Sequence, residues 1–137
     1  MTQPQALQLL VLFLRFGGVV LVTAFGAMLL PTEWMAASHR WLGMGEFPQA
    51  PLTDYLIRSI SALYGFHGLL VLLVAVDPLR YQRIVRYLGV MDIVFGLVML
   101  AIDWRAGMPT MWTMVEGPSL VAVGVVVLYL LSRATKG

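Results

Sequence analysis

The 137-residue chain contains no cysteine. Disulfides, thiolate nucleophiles, iron–sulfur clusters and cysteine-ligated zinc therefore lie outside its chemistry. Charge is scarce as well. Asp, Glu, Lys and Arg make up 12% of residues, against about 25% in a soluble domain. The net charge is +2 and no Lys- or Arg-rich run occurs, so the chain lacks the electrostatic footprint of a nucleic-acid binder. It also lacks a phosphate-cradling Gly-rich loop and a His-Glu-x-x-His pair. Its two histidines are His39 and His67. No metal or cofactor is expected, although His67 alone could in principle ligate a haem or pigment.

What the chain has in abundance is apolar surface, with 60% of residues hydrophobic. One aqueous core of this size cannot hide so much. The hydrophobic residues fall in four continuous runs, 6–30, 55–76, 84–102 and 111–131, each near the roughly 20 residues that cross a bilayer as a helix. Their continuity, without alternation, excludes a transmembrane barrel. The first run follows no basic segment and is too long for a secretory signal, so it is expected to be a retained membrane helix.

Helix breakers mark the joints: Pro31, the Gly- and Pro-rich stretch 43–51, Asp77-Pro78, and Gly107-Met-Pro109. Between Pro31 and the second joint, Trp34, Met35, Trp41 and Leu42 interleave with Glu33, Ser38, His39 and Arg40. That pattern predicts a short helix over 32–42 lying along the membrane surface. Arg80, Arg83 and Arg86 cluster at the second connection, and Arg133 and Lys136 lie at the C-terminal end. Basic residues favour the cytoplasmic side, so both termini are expected there. Trp34, Trp41, Trp104 and Trp112 then share the opposite face, as an interfacial aromatic belt does. Phe25-Gly26 with Glu33-Trp34 also recurs as Phe95-Gly96 with Asp103-Trp104, which suggests a parallel two-helix duplication.

Charged residues inside the spans are the candidate functional groups, because ionisable side chains at membrane depth are costly and face protein or water. Rise along each helix places Arg58, Asp103 and Glu116 near the outer surface. At ~1.5 Å per residue, His67 and Asp92 lie about 13–17 Å further in, with Arg15 at a similar depth. An Arg15–His67–Asp92 cluster is geometrically open to them, and Tyr64 stands one helical turn from His67. Asp92, Gly96, Met99 and Asp103 share one face of the third span. Pro118 in the fourth span frees the Met114 carbonyl and is expected to kink the helix. For each group two readings stand: a polar network that pins helix packing, or a site for a ligand, proton or ion. At the outer level, solvation by headgroups and water is the structural alternative.

Several stretches resemble small four-span bacterial membrane proteins without assigned function. They are Leu63-Tyr-Gly-Phe-His-Gly68, Asp77-Pro-Leu-Arg-Tyr81, Ile102-Asp103, Gly107-Met-Pro109 and Glu116-Gly-Pro118. Through Leu14-Arg-Phe-Gly17, the chain is similar in general architecture to the DoxX-like group. The resemblance implies a bacterial inner-membrane location and no particular activity. The expected fold is all-α: a single domain over 1–137, an antiparallel four-helix transmembrane bundle with a short interfacial helix between the first two spans. The expected function is that of a non-enzymatic binding or accessory protein in the lipid bilayer. It would work as a homo-oligomer or a membrane-complex subunit, and could hold a lipid or other amphiphile. The alternative is a small transporter or lipid-acting enzyme in which Asp92, Asp103 and Glu116 handle protons while Arg15 or Arg58 binds an anionic group.

Overall fold

The structure, a computed structural model, describes residues 1–135, so Lys136 lies outside the described residues. The fold is all-helical among those residues. Its segments are α1 (Gln3–Val22), α2 (Ala24–Leu29), α3 (Thr32–Trp41), α4 (Pro51–Val74), α5 (Gln82–Ala106) and α6 (Thr110–Thr135). α1 and α2 form one span, Gln3–Leu29, interrupted at Thr23, whose hydroxyl donates back to the Val20 carbonyl at 2.6 Å. Four helices are thus long and apolar enough to cross a membrane, which makes this a multi-pass membrane protein. In the most apolar window of each, only 17–28% of residues are buried within the protein. The remaining apolar surface, including Leu63, Phe66, Met111 and Tyr129, needs lipid or a partner as its solvent.

The spans run longer than the hydrophobic runs at most of their ends. α4 starts at Pro51 and not at 55, because proline suits the first helical position, where its missing N–H is not needed. α5 continues past Ile102 to Ala106 and stops at Gly107, whose φ of 68° is left-handed. There the Met108 N–H bonds the Asp103 carbonyl at 3.0 Å, and the Gly107 N–H bonds Trp104 at 3.4 Å, closing the helix in a Schellman-type cap. Polar residues at helix ends are helical yet not apolar, so hydropathy alone trims them.

The chain divides into two compact units, Met1–Arg15 with Leu73–Gly137, and Phe16–Leu72. In the second unit the end of the first span packs antiparallel on α4. A Cβ on Gly68 would stand 2.7 Å from the Val22 nitrogen and 2.8 Å from the Gly18 carbonyl oxygen, and one on Gly65 would strike the Phe25 ring. Phe25 in turn meets Phe66 edge-on, 5.2 Å between centroids. Leu30 is extended before Pro31 and ends α2. α3 then carries Glu33 in its first turn and Arg40 in its last, charges that match the helix dipole. Met35 and Ala36 of α3 bury against Phe47, with Leu30 and Ile57 packed around them.

The other unit is built on the α5–α6 hairpin. Gly89 faces Gly124, and two turns along Gly96 faces Gly117; a Cβ on Gly96 would lie 2.6 Å from the Gly117 oxygen. Only hydrogen fits at these crossings, which lets the two backbones touch. The pairing also fixes the two helices as antiparallel. Near the Asp77-Pro78 turn and the chain ends, Leu10, Val74, Val85 and Leu131 are fully enclosed. The Asp77 carboxylate accepts the Arg80 N–H at 3.1 Å, shaping the turn, and Arg133 donates to the Met1 carbonyl at 3.3 Å. Pro118 lies inside α6, directly after buried Gly117.

Candidate functional site

The α5–α6 hairpin brings two of the expected acids together. Asp103, one turn from the end of α5, is only 3% exposed. Its Oδ2 is sealed from solvent and accepts no hydrogen bond among the described residues. Glu116 of α6 lies within charge and hydrogen-bonding range of it. The second oxygen of Glu116, Oε2, accepts the Trp112 indole N–H at 2.5 Å. Thr113, also 3% exposed, offers no help, since its hydroxyl points to the Pro109 carbonyl at 3.4 Å. Arg105, the one basic residue between Arg86 and Arg133, is exposed. Two carboxyl groups at such range need a proton or a cation between them. This is the most unsatisfied polar spot in the unit.

Arg58, placed by sequence at the same outer level, is engaged inside the other unit. Its Nε donates to Asp54 Oδ2 at 2.9 Å and its Nη1 to the Met28 carbonyl at 2.6 Å. Met28 lies at the end of α2, where carbonyls lose their helical partners because the chain turns away at Pro31. Arg58 therefore closes a helix end as well as an ion pair. Neither Asp54 nor Trp112 stood out as a site residue by sequence. The signal that finds both is local: Asp54–Arg58 and Trp112–Glu116 are each four residues apart on one helix face.

The deeper candidates are distributed over the two units. Arg15 is exposed and can extend its charge along the helix. Tyr64, His67 and Asp92 are half-buried, and Tyr64 and Asp92 each engage a neighbour. Arg15 and Asp92 belong to one unit, Tyr64 and His67 to the other. The two halves of the apparent sequence repeat occupy different surroundings. Gly26 faces open space whereas Gly96 is clamped against Gly117, and Glu33 is exposed whereas Asp103 is buried. No group of three or more His, Asp or Glu residues able to hold a metal ion occurs among the described residues. No family model matches the chain, and neither a curated protein nor a solved structure matches it, so its function has to be argued from these side chains.

Proposed function

We propose that this is a non-enzymatic binding or accessory protein of the bacterial inner membrane, acting as a homo-oligomer or as a subunit of a larger membrane complex. In this reading the four spans form an antiparallel bundle with both termini in the cytoplasm, as the basic cluster Arg80, Arg83 and Arg86 favours. The carrying observation is the buried Asp103 carboxylate beside Glu116, with an oxygen that accepts no hydrogen bond among the described residues. A buried acid without a donor is costly, and such a cost is sustained where a bound group repays it. The missing group is positively charged: a side chain of a partner subunit or the headgroup of a bound amphiphile. The large exposed apolar faces of the spans supply the contact area for either.

Extraction of the parent protein and of Asp103→Asn into native-lipid nanodiscs, followed by intact-mass measurement, tests the reading. The parent is expected to carry an extra protein mass or a retained small molecule, and Asp103→Asn to lose it. Retention of the same species at the same stoichiometry by Asp103→Asn would sink the proposal. The same acid pair supports a second reading, a small transporter or lipid-acting enzyme, because adjacent carboxyls near the end of a span suit proton or cation transfer. Cation or proton flux in vesicles that Asp103→Asn abolishes, with assembly unchanged, would select the transporter.

A further inference from the structure

The start of α5 gathers positive charge that the chain does not neutralise. Residues 78–91 hold Arg80, Arg83 and Arg86 and no acid. All three are exposed, and no ion pair reaches any of them among the described residues. Asp77, just before them, turns its Oδ1 to the Arg80 backbone N–H at 3.1 Å. The Arg80 guanidinium lies over the Tyr81 ring, 5.6 Å from its centroid. Arg83 and Arg86 have no partner of either kind among the described residues.

Their height suits a lipid headgroup. α5 has 25 residues, about 37 Å at ~1.5 Å each, against a hydrocarbon core of about 30 Å. Arg83 and Arg86 follow its first residue, Gln82, by one and four positions, within about 6 Å of the helix end. Long side chains carry their charge outward from there. Three residues apart, the two arginines are neighbours on the helix surface and can hold one phosphate between them. The same face continues as an apolar lane. Helical spacing leads from Arg83 through Tyr87, Val90, Val94 and Leu97, all exposed. Buried Val85, Leu88, Gly89 and Gly96 lie on the other side of the helix. A free phosphate or an acidic protein segment would use the arginines and leave the lane empty. A phospholipid uses both, with its acyl chain beneath its phosphate. A zwitterionic headgroup brings a cation of its own, which the uncompensated arginines repel. We propose that this face of α5 binds an anionic phospholipid, its phosphate on Arg83 and Arg86 and an acyl chain along Val90, Val94 and Leu97. The site lies at the opposite end of the hairpin from Asp103 and Glu116 and does not depend on the function assigned to them.

The test places the whole protein in nanodiscs of equal parts phosphatidylglycerol and phosphatidylcholine with identical acyl chains. Native mass spectrometry then counts the lipids retained on release. A preference of roughly 25-fold for phosphatidylglycerol, about fivefold for each of two arginines, is expected in the parent. The double variant Arg83→Gln with Arg86→Gln is expected to lose it. Arg40→Gln with Arg105→Gln removes the same charge from two exposed arginines elsewhere and is expected to keep it. Thermal stability in pure phosphatidylcholine discs, with and without inorganic phosphate, probes the arginines alone. Equal retention of the two lipids by the parent overturns the proposal. So does a preference that the Arg83 and Arg86 substitutions leave intact, or that the Arg40 and Arg105 substitutions remove equally. Stabilisation by inorganic phosphate in place of a lipid preference also overturns it, because the arginines then hold a soluble anion.

Discussion

The two units use the same packing device and treat charge in opposite ways. In each, an antiparallel helix pair closes on glycines, Gly18 with Gly68 in one and Gly89 with Gly124 and Gly96 with Gly117 in the other. In the unit Phe16–Leu72 the acid near the end of the pair has its own cation: Arg58 binds Asp54 Oδ2 and the Met28 carbonyl, although Asp54 Oδ1 is buried as well. In the α5–α6 hairpin the corresponding end carries two acids, one of them buried with an idle oxygen. Small residues bring backbones together and leave little freedom to move a side chain away. Whatever sits beside such a crossing is held there, satisfied or not. That is why the first pair reads as structure and the second as a site.

This contrast can be broken or sharpened by substitution. The largest effect is expected at the crossings. Gly124→Val and Gly68→Val each put a branched side chain where backbone already sits, costing about 1–3 kcal/mol by overpacking, measured by thermal or denaturant unfolding in detergent. Tolerance of both would mean the glycines are not what holds the pairs together. Asp103→Asn should act in the other direction, raising unfolding free energy by about 1 kcal/mol, because its amide can donate to Glu116 without the proton that an acid pair must first take up. Measured on protein stripped of any retained lipid or partner, a loss of stability would show that Asp103 is already satisfied within the chain and would remove its claim to a ligand. Trp112→Phe removes the donor to Glu116 and should cost under ~1 kcal/mol. The double variant Trp112→Phe with Asp103→Asn should show coupling if the three groups act as one network. Arg58→Met is expected to lower the melting temperature without altering anything bound at Asp103, since its partners are Asp54 and Met28. The smallest effect belongs to Gly17→Ala and Gly26→Ala, where an added Cβ meets nothing within 4 Å. These should be neutral or gain a few tenths of a kcal/mol from reduced chain entropy in the unfolded state.

The membrane-spanning elements were legible along the chain because a bilayer imposes a length and an apolar composition that no other environment demands. The runs 6–30, 55–76, 84–102 and 111–131 correspond to Gln3–Leu29, Pro51–Val74, Gln82–Ala106 and Thr110–Thr135. The short helix expected over 32–42 corresponds to Thr32–Trp41, since Pro31 and the glycines after Leu42 bound it. Local pairs four residues apart, Asp54–Arg58 and Trp112–Glu116, were readable in principle from helix geometry. Depth estimates also put Asp103 and Glu116 at one level, but height along a helix says nothing about rotation around it. Arg58 was placed at that level too, and it turned instead to Met28, thirty residues away in sequence. Which acids meet, which cation is already used and which glycines are clamped were decided only by how the helices face each other. Periodicity marks which face of a helix is apolar, and in a membrane every face is apolar, so the contact face emerges only when backbones close on Gly96 and Gly117 and carry Asp103 in beside Glu116.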